Sequence, residues 1–340
     1  MKTKIKQFFG KLLFKKIIAY AFFYSGITYF FRTIYKNKNP LILMYHRIDK
    51  DQFDKQMQYL KKNYNVISLQ ELVSGLTQNS KFAGNTIAVT FDDGYLNNYE
   101  NAFPIFKKYG LPATLFITTS LIGTKKFAWW DKIRHAVIKS GKSNLVFVFD
   151  NKLVHLDLSD RQEKIDAIAL LHKLFSKYSS KKRNAAMGRL YNDLGVKEDY
   201  EELNNYMFMD WNQVIEMGEN NIEIGSHTVS HPFLSNLQPK GMLRELKDSK
   251  KIIEKKLNRQ IDSFCYPSGD MNARSEELVK KVGYNCACSI KTGSVTNKSD
   301  IYALERVGIN IKDDILIFAM KCTKLWILIT SKIRHDYHEA

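Results

Sequence analysis

Two short apolar runs, far apart in the chain, each end in residues that carry chemistry. Thr86-Ile87-Ala88-Val89-Thr90-Phe91 leads into Asp92-Asp93-Gly94-Tyr95, and Asn221-Ile222-Glu223-Ile224-Gly225 leads into Ser226-His227-Thr228-Val229-Ser230-His231-Pro232. Short apolar runs bounded by turn residues predict buried strands. Groups at the C-terminal ends of parallel strands sit where α/β folds gather their reactive side chains. A spacing of four brings His227 and His231 to one side of a helical turn, which Pro232 keeps short. Neighbouring side chains on a strand point opposite ways, yet at a strand end that turns at Gly94 both aspartates can face one pocket. Two carboxylates there would not both ionise readily alone, and a divalent cation resolves the conflict. One acidic ligand, two imidazoles and a spare carboxylate to activate water are the parts of a mononuclear metal hydrolase with open coordination positions. Taken singly, Asp-Asp-Gly is ordinarily a turn and His-x3-His a satisfied polar pair. Their pairing at the ends of apolar runs in one α/β pattern points to an enzyme.

The intervening chain keeps a β-α-β rhythm. Phe53, Met57 and Leu60 mark a helix, Val66-Ile67 a short strand, and residues 69–76 another helix. Residues 97–109 predict a helix closed by Gly110 with Pro112 beyond, and 113–118 the next strand. Such alternation predicts a parallel barrel or sheet. Residues from about 127 to 208 form an insertion: a hairpin about Asp150-Asn151-Lys152, then charged helices over 161–178 and 182–194. The insertion either selects substrate or extends the scaffold. Asp210-Trp211 reads as a helix start with a buried tryptophan, and Cys265 as a small packing residue.

Thr90–Tyr95 resembles the first motif of the polysaccharide deacetylases, the NodB-homology domain of carbohydrate esterase family 4, and Ser226–His231 resembles the second. Phe264-Cys265-Tyr266-Pro267-Ser268-Gly269 is similar to the proline-glycine loop that forms the third. Met44-Tyr45-His46-Arg47, Trp129-Trp130-Asp131 and Leu111-Pro112-Ala113-Thr114-Leu115-Phe116 resemble a bacterial branch of that family, and the likeness covers roughly residues 40 to 311. It implies a distorted (β/α) barrel of the NodB-homology type, with fewer regular units than a full eight, that removes an N-acetyl group from an amino sugar. By position, Asp93, His227 and His231 would hold the metal, zinc by default, with cobalt, nickel or iron also suited to the ligands. Asp92 would be the general base, and the backbone N–H of Tyr95 would help stabilise the oxyanion. Tyr266 and Pro267 would belong to the loop that binds and orients substrate.

The chain departs from the family pattern twice. The arginine that orients the base would stand at Phe264; Arg47 and Arg306 are the replacement candidates. The Leu-x-His motif that supplies a general acid is also missing, because no histidine follows His231 until His335 in a charged tail. His46 ends the first predicted strand, which neighbours the last in a closed barrel. His46 is therefore either the acid that protonates the leaving amine or a hydrogen-bonding neighbour of the site.

The 340 residues suffice for one barrel domain, residues 39–312, with segments at both ends. The four cysteines form no Cys-x-x-Cys pair, so neither a zinc ribbon nor a disulfide framework is expected. A formal charge of +17 attracts anionic polymers and membrane surfaces, but no zinc finger, RNP-like strand or recognition helix points to nucleic acid. Residues 1–38 carry Lys2, Lys4, Lys6, Lys11, Lys15 and Lys16 ahead of an uncharged, aromatic-rich stretch, Ile17–Phe31. That stretch is shorter than the roughly 20 residues of a spanning helix. It predicts membrane association, as a short inner-membrane anchor or an interfacial helix, on a side of the membrane left open. In residues 313–340, Ile315, Phe318, Ala319, Cys322, Leu325, Trp326 and Ile329 share one helical face, which lies either on the same membrane or across the barrel bottom. The expected substrate is an N-acetylated glycan or its lipid-linked precursor. Two other functions remain open: a deformylase or other amidase on a lipid-linked sugar, and a non-catalytic glycan-binding module tethered to the membrane.

Overall fold

The structure, a computed structural model, describes residues 38–150, 152–178, 180–198 and 206–330, with isolated positions between 20 and 30. Most of the expected N-terminal membrane segment and the tail beyond 330 lie outside the described residues. Among the described residues no helix is long and apolar enough to cross a membrane. Over the described residues the chain divides into two compact units, one built from the residues up to Gly123 and from Met209 to Thr330, the other from Thr124–Phe208.

The first unit opens with β1 (Leu41–Tyr45), α1 (Lys50–Asn63), β2 (Asn65–Val66), α2 (Leu69–Thr77) and β3 (Thr86–Phe91). Next come α3 (Phe103–Tyr109) and β4 (Ala113–Ile117). Asp49 and Ser68 cap α1 and α2 through their side chains, and Gly110 closes α3 in the left-handed region at φ 61°. The single helix predicted over 97–109 is instead a π turn, Asn98–Ala102, followed by α3. Pro104, with no N–H to give, falls where the regular ladder gives way.

The second unit holds α4 (Trp129–Lys139), an antiparallel hairpin of β5 (Asn144–Phe149) and β6 (Lys152–Asp157), α5 (Arg161–Phe175) and α6 (Ser180–Leu194). β5 alternates exposed and buried, which turns Leu145, Phe147 and Phe149 onto a core shared with Ile133, Ile168, Leu171, Phe175 and Leu190.

The chain then resumes the first unit with α7 (Trp211–Glu219), β7 (Ile222–Ser226), α8 (Pro239–Leu257), β8 (Ser263–Cys265), α9 (Ala273–Val282), β9 (Cys286–Cys288) and β10 (Val307–Gly308). Asp210 starts α7, as the sequence predicts, and does so through a capping box with Gln213; Trp211, expected to be buried, is only half-buried. Every pairing in this sheet is parallel, in the order β10-β1-β3-β4-β7-β8-β9, with β2 beside β3. β1, β3 and β4 are buried along their whole length, the continuous apolar pattern of a sheet covered on both faces. Leu304 bridges Cys288 and Val307 pairs with Leu43, so residues 304–307 span the gap between the last strand and the first. The result is an irregular (β/α) barrel.

The C-terminal segment corrects one expectation. It is two short helices, α10 (Ile315–Lys321) and α11 (Lys324–Thr330), rather than one amphipathic helix. Leu316, Ile317, Phe318, Ala319 and Trp326 are buried; Phe318 meets Tyr59 of α1 edge-on, and Lys321 Nζ donates to the Gly308 carbonyl. Most of the described part of this apolar face packs within the protein.

Candidate metal centre and base

Strand register assembles the site. Tyr45 pairs with Phe91, Ile117 with Ser226, Ser226 with Phe264, and Cys265 with Cys288. By register His46 is level with Asp92, whereas Thr118, His227 and Cys265 share a level two residues further along, so these residues gather at the C-terminal end of the sheet in two successive steps. Asp92 and Asp93 follow β3 into a turn in which Asp93 has φ 77° and Gly94 φ 90°. A Cβ on Gly94 would lie 2.9 Å from Ile122 Cδ1 and 3.1 Å from Ile117 Cγ2, so glycine is required by both backbone and space. Thr228 and His231 also have positive φ, 68° and 51°. Such conformations cost free energy and persist where surrounding contacts hold them. The contacts are visible: Glu245 on α8 accepts from Val229 N–H, Ser230 N–H and Ser230 O–H at 2.8, 2.9 and 2.7 Å, and His231 N–H donates to Thr228 Oγ1.

One oxygen, Asp93 Oδ1, lies 3.5 Å from Nε2 of His227 and 3.5 Å from Nε2 of His231, with all three residues buried. His227 Nδ1 is 2.7 Å from the Cys265 carbonyl. A carbonyl only accepts, so the ring proton sits on Nδ1 and the Nε2 lone pair faces Asp93. Burial pushes the His227 imidazolium down to about 4, against the pull of Asp92 and that carbonyl, so the ring is neutral. Ligand atoms bound to a tetrahedral zinc at about 2.1 Å stand about 3.4 Å apart. Asp93 Oδ1 stands at that spacing from both imidazole nitrogens, and one carboxylate with two imidazoles is a donor set that fits a divalent cation.

Asp92 is clamped by Arg306. Nη1 donates to Oδ1 at 2.8 Å and Nη2 to Oδ2 at 2.7 Å, with both side chains buried. Burial alone would raise the Asp92 carboxyl; the Arg306 charge and hydrogen bonds, helped by His227 and His46, overturn that and hold it far below the usual carboxylate range. Of the two candidate arginines, Arg306 meets Asp92. The Arg47 guanidinium lies over the Tyr95 ring, 5.3 Å from the centroid. Strand alternation explains why Phe264 is no substitute. Phe264 points outward to Tyr266 and Tyr284, whereas Cys265 points inward to Arg306 and Asp92.

The third motif acts differently from expectation. Tyr266 is fully buried, its ring edge-on to Phe264 at 5.1 Å, so its side chain packs in the core. Pro267 is buried at the start of a short turn, Pro267–Gly269. Three further residues support the site: Thr90, inside the first motif, and Ser289, whose oxygens accept from Arg306, and Glu245, the last two with no signal in the sequence pattern. Cys265, expected to be packing, contacts Asp92 and Arg306 through its sulfur and His227 through its carbonyl. Its place between Phe264 and Tyr266 at the end of β8 was the available signal. His46 is half-buried at the same barrel end, and its carbonyl accepts from Asn98. The Tyr95 ring is buried.

Comparison with known proteins agrees with this architecture. A family profile described as polysaccharide deacetylase matches residues 79–143 and 160–287, more than half of the chain. The "Putative polysaccharide deacetylase YxkH" of Bacillus subtilis (strain 168) is 25% identical over 278 residues, spanning 79% of this chain and 71% of that protein. The poly-beta-1,6-N-acetyl-D-glucosamine N-deacetylase of Staphylococcus aureus (strain MSSA476) is 24% identical over 310 residues, 91% of this chain and 81% of the relative. Among solved structures, the Streptococcus pyogenes deacetylase PplD in complex with acetate superposes with a TM-score of 0.56 at 20% identity, covering 84% of this chain and 98% of that one. IcaB from Ammonifex degensii gives 0.56 at 17% identity, over 85% and 99%. The chain belongs to the polysaccharide deacetylase family, hydrolases of the carbon–nitrogen bond of N-acetyl groups.

Proposed function

We propose that this protein removes N-acetyl groups from the amino sugars of a polysaccharide or its lipid-linked precursor. The observation that carries the proposal is the meeting of Asp93 Oδ1 with two imidazole Nε2 atoms beside an aspartate held anionic by a buried arginine. Asp93, His227 and His231 hold a divalent cation, zinc by preference, which supplies Lewis acidity at the acetyl group. Asp92 takes a proton from the attacking water as its oxygen adds to the acetyl carbon. The Tyr95 N–H donates to the oxygen that gains charge. His46 donates a proton to the amine as the C–N bond breaks, releasing acetate and a free amino sugar. The activity named for the Staphylococcus aureus relative, on an N-acetylglucosamine polymer, supports the substrate class.

The proposal extends to the membrane surface. The lysines at 2, 4, 6, 11, 15 and 16 precede the uncharged stretch, in which Tyr20, Tyr24, Tyr29 and Phe30 are exposed among the described positions. The catalytic part is tested by acetate release from N-acetylglucosamine oligomers and envelope glycan, together with metal analysis. Formate release, or tight metal binding with no amide cleavage, would overturn it. Removal of residues 1–36 should shift the protein from the membrane to the soluble fraction.

A further inference from the structure

We infer that Cys265 is a positioning residue for the base Asp92, an inference that rests on the deacetylase chemistry proposed above. A guanidinium carries five N–H donors. Buried Arg306 finds an acceptor for each: Nε donates to the Ser289 carbonyl at 2.8 Å, Nη1 to Thr90 Oγ1 at 3.1 Å and Asp92 Oδ1 at 2.8 Å, and Nη2 to Asp92 Oδ2 at 2.7 Å and Cys265 Sγ at 3.0 Å. The sulfur takes the fifth proton. The thiol in turn faces the carboxylate, with Sγ 3.5 Å from Asp92 Oδ2. Arg306, Asp92 and Cys265 thus close a ring of three mutual contacts.

This ring does two things. A buried N–H left without an acceptor is costly, so the sulfur fixes the tilt of the fork that aims Asp92. Oδ2 receives both Nη2 and the thiol, whereas among the described contacts Oδ1 receives Nη1 alone. Oδ1 keeps an open lone pair, and the proton of the attacking water goes there. The carbonyl of the same Cys265 fixes the His227 tautomer, so one residue of β8 holds base and metal ligand in register.

Two other roles fit less well. Burial pushes the Cys265 thiol well above its ordinary range, so it stays protonated and is no nucleophile. Asp92, His227 and Cys265 also lie close enough to form a second ligand set, but the Arg306 guanidinium already touches two of them and repels a cation.

The test compares Cys265→Ser, Cys265→Ala and Cys265→Val in the full chain by kcat, KM, bound metal and circular dichroism. Valine fills the space of the thiol, so its loss reports the polar contacts and not a hole. Serine, which can accept from Arg306 and donate to Asp92, should stay within about threefold of wild type in kcat. Alanine and valine should lose about 10- to 100-fold in kcat, with KM and metal content kept, as for other groups that orient a site. In an Arg306→Lys background, where the fork is gone, Cys265→Ala should add little further loss. Wild-type kcat in the alanine variant, serine as impaired as valine, or full additivity with Arg306→Lys would overturn the inference. Acetate release by wild type that Asp92→Asn abolishes but Cys265→Ala leaves untouched would keep the proposed function and sink this role. No release by wild type on any N-acetylated glycan would remove both.

Discussion

Arg306 and Asp92, 214 residues apart in the chain, meet as a two-pronged ion pair at 2.7 and 2.8 Å inside the barrel. The pair exists because residues 304–307 close the gap between β9 and β1 and turn the Arg306 side chain inward, toward the end of β3. A clamp this tight keeps the carboxylate anionic through the neutral range but also weakens it as a base. Lysine keeps the charge and loses the fork, so Arg306→Lys should lower kcat by about 10- to 100-fold with little change in KM. Arg306→Met leaves a buried, unpaired carboxylate and should cost about 3–5 kcal/mol of stability. Steady-state kinetics and thermal melts check the two variants separately.

The adjacent aspartates should separate cleanly. Asp93→Ala removes the one oxygen shared by both imidazoles and should abolish stoichiometric metal binding. Asp92→Asn keeps that oxygen and should bind metal while losing about 10²- to 10⁴-fold in turnover. Metal content by elemental analysis, read beside acetate release, decides both. Full activity in metal-replete Asp92→Asn would rule out its assignment as base.

The parts of the site carried by local pattern are legible in the sequence, and those set by closure of the barrel are not. Asp92, Asp93, His227 and His231 follow directly on apolar runs that form β3 and β7, which puts them at the C-terminal ends of those strands. The sequence names Arg306 only as one of two candidates, because its inward turn depends on pairings with both Cys288 and Leu43 neighbours. The position of Tyr266 in a motif does not reveal which face of β8 it joins; packing on Phe264 decides that, and makes it a core residue. The break between α10 and α11 escapes a helical-face pattern for a similar reason. Thr323 turns back onto the Met320 carbonyl and ends the first helix, whatever the period of its apolar residues.

His46 separates two roles by experiment. If it protonates the leaving amine, His46→Gln should lower kcat on N-acetylated glycan by about 10²- to 10⁴-fold. An activated aryl acetate, whose leaving group needs no proton, should then be cleaved within a few-fold of wild type. A loss of the same size on both substrates would make His46 a structural neighbour of the Asp92 pocket and not the acid.

The metal-free protein should lose stability as the solution becomes mildly acidic, through His227. Burial lowers its folded-state value to about 4 from the ordinary 6.5. Between those values the unfolded chain binds the proton more readily than the folded one, so protonation favours unfolding. The contribution is complete above about pH 6.5, declines as pH falls toward about 4, and levels off below that. A gap of that width between the folded and unfolded chains corresponds to roughly 3 kcal/mol. Asp92 acts on a different window: its depressed carboxyl adds stability present above the unfolded aspartate value and lost only as pH falls through its lower folded one. Urea melts of chelated protein at about pH 7 and about pH 4.5 should therefore differ by about the His227 share, and His227→Gln should remove that difference. A slope unchanged in the variant would assign the acid sensitivity to another group.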